Sequence, residues 1–266
     1  MTFGFIGAGN MGGALARAVA KSVAPENITL SDKDTAKACG LARQLGAQID
    51  AVEAVAEKCQ FIFLGVKPQV MAAMLSDIAP VLAARKDNFV LVSMAAGICI
   101  ADIRRMAGGD YPVIRIMPNI PVSAGEGMIL FDTTDNVSNQ AEEDFRQGLR
   151  FAGILDKLPE KLIDAGSALS GCGPAFVSLF VEALADGAVA CGLPRAQAMT
   201  YAAQTLKGTA AMLLETQMHP GQLKDAVCSP GGSTIAGVNA LEQGAFRASA
   251  MDAVICAYEK TLELGK

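Results

Sequence analysis

Near its start the chain runs Phe3-Gly4-Phe5-Ile6 straight into Gly7-Ala8-Gly9-Asn10-Met11-Gly12, a strand-like apolar run followed by three spaced glycines that open a helical pattern. Few features constrain a fold as tightly. Glycines at this spacing let a covered strand turn into a helix at close quarters, which is the beginning of a βα unit in a sheet buried on both faces. The first half repeats the theme: Phe3 to Ile6, Ile28 to Ser31, Phe61 to Val66, Phe89 to Ser93 and Val113 to Met117 are short apolar or β-branched runs. Met11 to Lys21, Asp34 to Leu45 and Ile100 to Met106 lie between them with helical patterning. Such alternation implies an α/β doubly wound parallel sheet.

A last strand-like segment spans Gly153 to Leu158, Pro159 follows, and from Asp164 the strand signal is gone. Long Ala-, Leu- and Met-rich helices replace it. Ala175 to Cys191 is closed by Gly192, Pro194 restarts a helix that runs to about Gln217, and Ser233 to Gln243 and Ala245 to Leu264 follow. The expected division is therefore residues 1–158 for the sheet domain and 159–266 for an all-α domain. Ala175-Phe176-Val177-Ser178-Leu179-Phe180-Val181 offers water no polar stripe. A helix apolar all round has to be buried, and roughly a hundred residues of helix cannot hide every such face among themselves. A compact bundle core or an obligate subunit interface must absorb them, and the interface is the favoured reading. Met199, Met212 and Met251 read as core fillers.

Charge and composition exclude several classes. Twenty-two Lys+Arg against 27 Asp+Glu leave a net charge of −5, so there is no basic field for nucleic acid. The longest apolar stretch, Phe89 to Ala101, is interrupted by Ser93 and Gly97 and falls short of the ~20 residues of a crossing helix, so no membrane anchor is expected. Seven cysteines without a C-x-x-C pair read as small buried hydrophobes in a reducing compartment, and with no cationic leader before Phe3 the expected location is the cytoplasm. The single histidine, His219, precedes Pro220 and reads as a turn cap; with no clustered Cys or His, no metal site is expected.

A glycine turn between strand and helix suits a dinucleotide. Gly7 allows the tight turn, Gly9 lets a pyrophosphate approach the backbone, Gly12 permits close helix–strand packing, and the amides opening the helix at Asn10 and Met11 meet the phosphate charge. Asp32 lies ~20 residues on, where a carboxylate accepts from a ribose 2′-OH. Three readings stay open there: Asp32 selects NADH; or it swings out and leaves Ser31 and Lys33 to a 2′-phosphate; or it caps the helix starting near Asp34. Val66-Lys67-Pro68 and Ala95-Ala96-Gly97 also follow strand ends and are expected to border the cofactor, as is Asn119, which with Arg115 breaks an apolar strand and loop.

The most unusual passage is Ser229-Pro230-Gly231-Gly232-Ser233-Thr234, a turn running into a helix with hydroxyls and free amides converging on one point, as a carboxylate cradle requires. Together with Asp225-Ala226-Val227-Cys228 before it and Ile235-Ala236-Gly237 after it, this segment resembles the signature of pyrroline-5-carboxylate reductases. The likeness extends over nearly the whole chain, through the glycine turn, Val66-Lys67-Pro68, Ser93 to Ile98, Arg115 to Asn119, Leu169 to Ala175, Glu182 to Gly187, Gly192-Leu193-Pro194 and His219-Pro220-Gly221.

The resemblance implies an N-terminal Rossmann-type domain with an all-α C-terminal dimerisation domain, a homodimer or an assembly of dimers, and reduction of L-1-pyrroline-5-carboxylate to L-proline. It implies NADPH first and NADH second. By motif position, Thr234 would bond the substrate's ring nitrogen, while Ser229, Gly231, Gly232 and Ser233 would hold its carboxylate; Ser233 stands where the family often has Thr or Ala. β-Hydroxyacid dehydrogenases share the two-domain plan, but the Lys and Asn they carry on the long helix correspond to Val177 and Glu182 here.

Overall fold

The structure, a computed structural model, describes residues 1–264. By internal contacts the chain divides into two units, Met1–Cys172 joined by the stretch from Tyr258 onward, and Gly173–Ala257.

The first unit follows the alternation of the sequence: β1 (Phe3–Ile6), α1 (Asn10–Val19), β2 (Ile28–Ser31), α2 (Thr35–Leu45), β3 (Gln48–Ile49), α3 (Val52–Lys58), β4 (Phe61–Leu64), α4 (Pro68–Ala84), β5 (Val90–Ser93) and α5 (Ile100–Ala107). There follow β6 (Val113–Met117), a 3-10 turn (Ile120–Ala124), β7 (Gly127–Thr133), α6 (Asn139–Leu149), β8 (Gly153–Lys157) and α7 (Glu160–Ser170). The eight strands form one sheet in the order β3-β2-β1-β4-β5-β6-β7-β8. Only the β6–β7 pair is antiparallel.

Strand alternation splits the core into two layers. Phe3, Phe5, Phe61 and Phe63 point to the face covered by α1, α2 and α6; Ile6, Ile62 and Leu64 point to the face covered by α3, α4 and α5. Phe3 stacks on Phe61 at 5.1 Å and Phe5 on Phe63 at 4.6 Å between ring centroids. Removing a side chain of this size from water contributes about 1.5–3 kcal/mol, so this layer supplies much of the unit's stability. Chain order reverses at β1, which lies between β2 and β4. That switch point opens a crevice at the carboxyl ends of the strands, where open α/β sheets bind ligands.

Helix α7 belongs to the sheet unit by its packing against β6 and β7. The reason is polar as well as apolar. Arg115, buried on β6, pairs with Glu160 at 3.2 Å and Asp164 at 2.9 Å, both on α7, while the Glu160 amide donates to Asp132 at 2.6 Å. Packing thus breaks the chain at Cys172–Gly173, 14 residues beyond the composition change at 158.

The second unit contains α8 (Gly173–Ala190), α9 (Arg195–Thr216), α10 (Pro220–Ala226) and α11 (Ser233–Gln243); α12 (Phe246–Leu264) begins in it. Its own core is slight. Ala185 on α8 packs against Ala198 and Ala202 on α9, with Val181, Val189 and Leu193 around them. Gln217 closes α9 in the left-handed region at φ 54°. Glycine takes that conformation without the clash of a Cβ, so Gln217→Gly is expected to stabilise this helix end by about 0.5–1 kcal/mol. At fixed protein concentration this should appear as a rise of a few degrees in Tm; an unchanged or lower Tm contradicts it.

The apolar faces of this unit are uncovered within the chain. Leu179 is 69% exposed, Val177 51% and Met251 65%, and Met199, Met212, Leu214 and Ile255 are exposed too. The methionines expected as core fillers therefore lie on the surface of the single chain. So do Cys191 and Cys256, and of the seven free cysteines only Cys59 is buried, which corrects the expectation for the set. Faces without a neighbour inside the chain cannot be dry in it. Among the described residues one helical stretch, Glu160–Ala190, is long and apolar enough to cross a membrane by length and composition alone; a turn at Gly171-Cys172 interrupts it.

Candidate functional site

The glycine turn is closed by backbone contacts that admit no side chain. Gly7 has φ +108°, and a Cβ there would lie 2.5 Å from the Gly65 carbonyl oxygen. A Cβ on Gly12 would lie 2.1 Å from the carbonyl oxygen of Gly7, so α1 seats directly on the end of β1. Gly9 differs, since its Cβ would meet nothing within 4 Å. It caps α1 with no side-chain hydrogen bond and with no acid in the first turn. Open space, uncapped amides and the positive end of a helix dipole fit a pyrophosphate. Gly65 was not among the expected site residues, although a glycine following an apolar strand was a readable signal; it also ends β4 at Leu64, short of the expected Val66.

The other expected cofactor residues come to the same edge of the sheet. Ser31 ends β2, and its carbonyl accepts from the Gly7 amide at 2.7 Å. Asp32 and Lys33 follow it, the first half-buried and the second exposed. Val66 and Lys67 lead into α4, which Pro68 begins at a position needing no amide donor. Ala95, Ala96 and Gly97 lie beyond β5, with Ala95 buried and the Ala95 amide near the Ser93 hydroxyl at 3.4 Å. Beside this loop, burial and the Asp102 carboxylate push the Cys99 thiol up, away from the thiolate form. A groove of about 550 Å³ runs from Gly9 and Asn10 between α1 and α2, bordered by Arg17, Lys37, Gly40 and Gln44.

Asn119 makes two long-range bonds within the sheet unit. Its Nδ2 donates to the Ser170 carbonyl at 2.8 Å and its Oδ1 accepts from the Met128 amide at 2.9 Å. Both ends of the carboxamide therefore brace β7 and the end of α7. Glu160 does similar work at the other end of α7: its Oε1 receives the Ile100 amide, at the start of α5, at 2.7 Å as well as Arg115. A single sequence offers no signal for such long-range partners.

In the second unit, the Ser229–Thr234 segment forms a tight turn entering α11. The Gly232 amide donates to the Ser229 carbonyl at 3.0 Å, and Gly231 sits at φ +68°, where glycine is unstrained. Gly232 caps α11 without any side-chain bond. The Ser229, Ser233 and Thr234 side chains are exposed, so the turn offers hydroxyls and unsatisfied amides together. His219 caps α10, its Nδ1 accepting from the Gly221 amide at 3.1 Å. Its hydrogen bond is thus spent on a turn, as expected. On α10, the Lys224 ammonium pairs with Asp225, which pushes its pKa up and keeps it charged.

Comparison with known proteins agrees with this architecture. A family model for pyrroline-5-carboxylate reductase dimerisation matches residues 160–264, and one for NADP oxidoreductase, coenzyme F420-dependent, matches residues 2–97. Pyrroline-5-carboxylate reductases of Methanosarcina acetivorans and Escherichia coli K12 are each 40% identical, over 99% of this chain and 97% and 98% of their own lengths. A crystal structure of the Plasmodium falciparum pyrroline carboxylate reductase with NADP bound superposes with a TM-score of 0.86 at 32% identity, covering 100% of this chain and 98% of that one. A pyrroline-5-carboxylate reductase from Coxiella burnetii superposes with a TM-score of 0.92 at 28% identity, with the same coverage. With the glycine turn, the Ser229–Thr234 turn and the helical half all falling inside full-length matches of this kind, the chain belongs to the pyrroline-5-carboxylate reductase family.

Proposed function

We propose that this protein reduces L-1-pyrroline-5-carboxylate to L-proline with NADPH, NADH serving as second donor. The observation that carries the reading is the 40% identity to pyrroline-5-carboxylate reductases along 99% of the chain, which takes in both candidate turns. The bound dinucleotide supplies a hydride. The imine takes that hydride at C5 and one proton at nitrogen, so C=N becomes CH–NH and the donor is oxidised. A protonated cyclic imine is already electrophilic, and orientation is the main demand on the protein.

Each site residue has a corresponding task. Gly7, Gly9 and Gly12 shape the turn that receives the pyrophosphate, and the amides of Asn10 and Met11 face its charge. Val66, Lys67 and Pro68, with Ala95, Ala96 and Gly97, border the rest of the dinucleotide. Ser229, Gly231, Gly232 and Ser233 hold the substrate carboxylate, while the Thr234 hydroxyl fixes the ring nitrogen. The deciding assay follows consumption of NADPH and of NADH separately with pyrroline-5-carboxylate as oxidant and identifies the product by chromatography. Proline formed in step with nucleotide oxidation is the expected result. Neither nucleotide being consumed would overturn the reading.

The working form is a homodimer, from which larger assemblies of dimers are built, acting on a small molecule in the cytoplasm without nucleic acid or membrane. The apolar faces of α8, α9 and α12 support this, because no helices of the same chain cover Leu179, Met212 or Met251. Two-fold symmetry makes each interface residue count twice. Leu179→Arg is therefore expected to weaken the dimer by 10²-fold or more, about 2.7 kcal/mol, visible by light scattering coupled to size exclusion. A variant that stays dimeric on dilution contradicts the assignment of that face.

A further inference from the structure

Of the three readings the sequence leaves open at Asp32, the structure favours the first: the side chain lies against the glycine turn and is not swung out. The Asp32 Oδ2 accepts from the Ala8 amide, in the middle of the glycine turn, at 2.7 Å, and its Oδ1 accepts from the Asp34 amide at 2.8 Å. Swinging the carboxylate away would break both bonds and free a turn amide that has no other acceptor. Asp34, not Asp32, caps α2, through the Lys37 amide. The Asp32 carboxylate is thus held at the end of β2, half-buried and bonded to the glycine turn.

An ionised carboxylate has about four lone-pair positions, and the two amides occupy two of them. The remaining acceptors suit a ribose 2′-hydroxyl, which brings a hydrogen, and oppose a 2′-phosphate, which brings like charge. Countercharge is close by. Lys33 is exposed, Lys37 pairs with Asp34 at 3.4 Å, and Arg17 bonds Gln44 across the neighbouring groove.

Resting on the reading of the glycine turn as a dinucleotide site, we propose that Asp32 is the residue that sets donor discrimination in this protein. Its carboxylate takes a 2′-hydroxyl as partner and opposes a 2′-phosphate, which narrows the lead of NADPH and lets NADH work as second donor.

The test is a fluorescence titration of NADH and NADPH, without imine, on the wild type, Asp32→Asn and Asp32→Ser. Asparagine keeps an acceptor for the Ala8 amide and removes the charge. The wild type is expected to bind the two nucleotides within about tenfold of each other, and both variants to shift the ratio toward NADPH by about tenfold, or about 1.4 kcal/mol. A wild type that prefers NADPH by a thousandfold (about 4.1 kcal/mol) overturns the proposal without recourse to a variant. An unchanged ratio, or equal weakening of both nucleotides, reduces Asp32 to a brace and overturns it too. Binding of neither nucleotide to the wild type would instead sink the dinucleotide reading itself, which separates the two failures.

Discussion

Gly12→Ala is expected to cost the protein its dinucleotide site and much of its stability. The added methyl would stand 2.1 Å from the Gly7 carbonyl oxygen, and neither atom belongs to a side chain that can turn away. Helix α1 would have to lift from β1, pulling its first-turn amides off the place where the proposed site has them face the phosphates. Forcing a methyl into packed backbone costs about 3 kcal/mol or more, and an equal loss in binding is more than 10²-fold. Thermal denaturation and nucleotide titration should both register it. Gly9→Ala is the control, because its methyl would meet nothing within 4 Å in the protein. That variant should keep its Tm and lose affinity only. If Gly12→Ala bound nucleotide as the wild type does, the closed turn could not be what shapes the site.

Thr234→Ala is expected to lower kcat by about 10²-fold while leaving nucleotide affinity where it was, since loss of an orienting contact misplaces the reacting carbon without touching the glycine turn. Ser229→Ala should behave differently, raising KM for the imine more than it lowers kcat, because a carboxylate contact is made equally in ground and transition states. Both side chains are exposed, Ser229 in the turn before α11 and Thr234 in its first turn, so a fall in Tm is not expected. Normal turnover by Thr234→Ala would remove the proposed role of its hydroxyl.

Much of the first unit was legible because its strands are short apolar runs that end in glycine or a polar loop. β1, β2 and β6 occupy the expected residues, and β4 and β5 lie within the expected runs. β7 was not anticipated, although Gly127–Thr133 is apolar enough for a strand. A reading built on crossover helices expects the strand after β6 to come with a helix, whereas the chain returns antiparallel after one 3-10 turn. α4 was not among the named helices, and it carries Pro80 inside it. The candidate site was legible where backbone alone makes it, at Gly7 to Gly12 and Gly231-Gly232. Side chains whose work depends on distant partners were not. Asn119 is the clearest case, since its bonds to Ser170 and Met128 join residues far apart in the chain.

Local spacing by itself determined that this protein would join a mostly parallel sheet to a run of helices, and where a glycine turn would open a helix in each half. Strand and helix periods and the turn freedom of glycine are properties of neighbouring residues, so they can be read along the chain. Tertiary structure alone decided two things: that α7 stays with the sheet, and that Asp32 faces the glycine turn instead of solvent. Each depends on which remote atom satisfies a charge, an amide or an apolar face, and that is settled only when segments far apart in sequence are packed against one another.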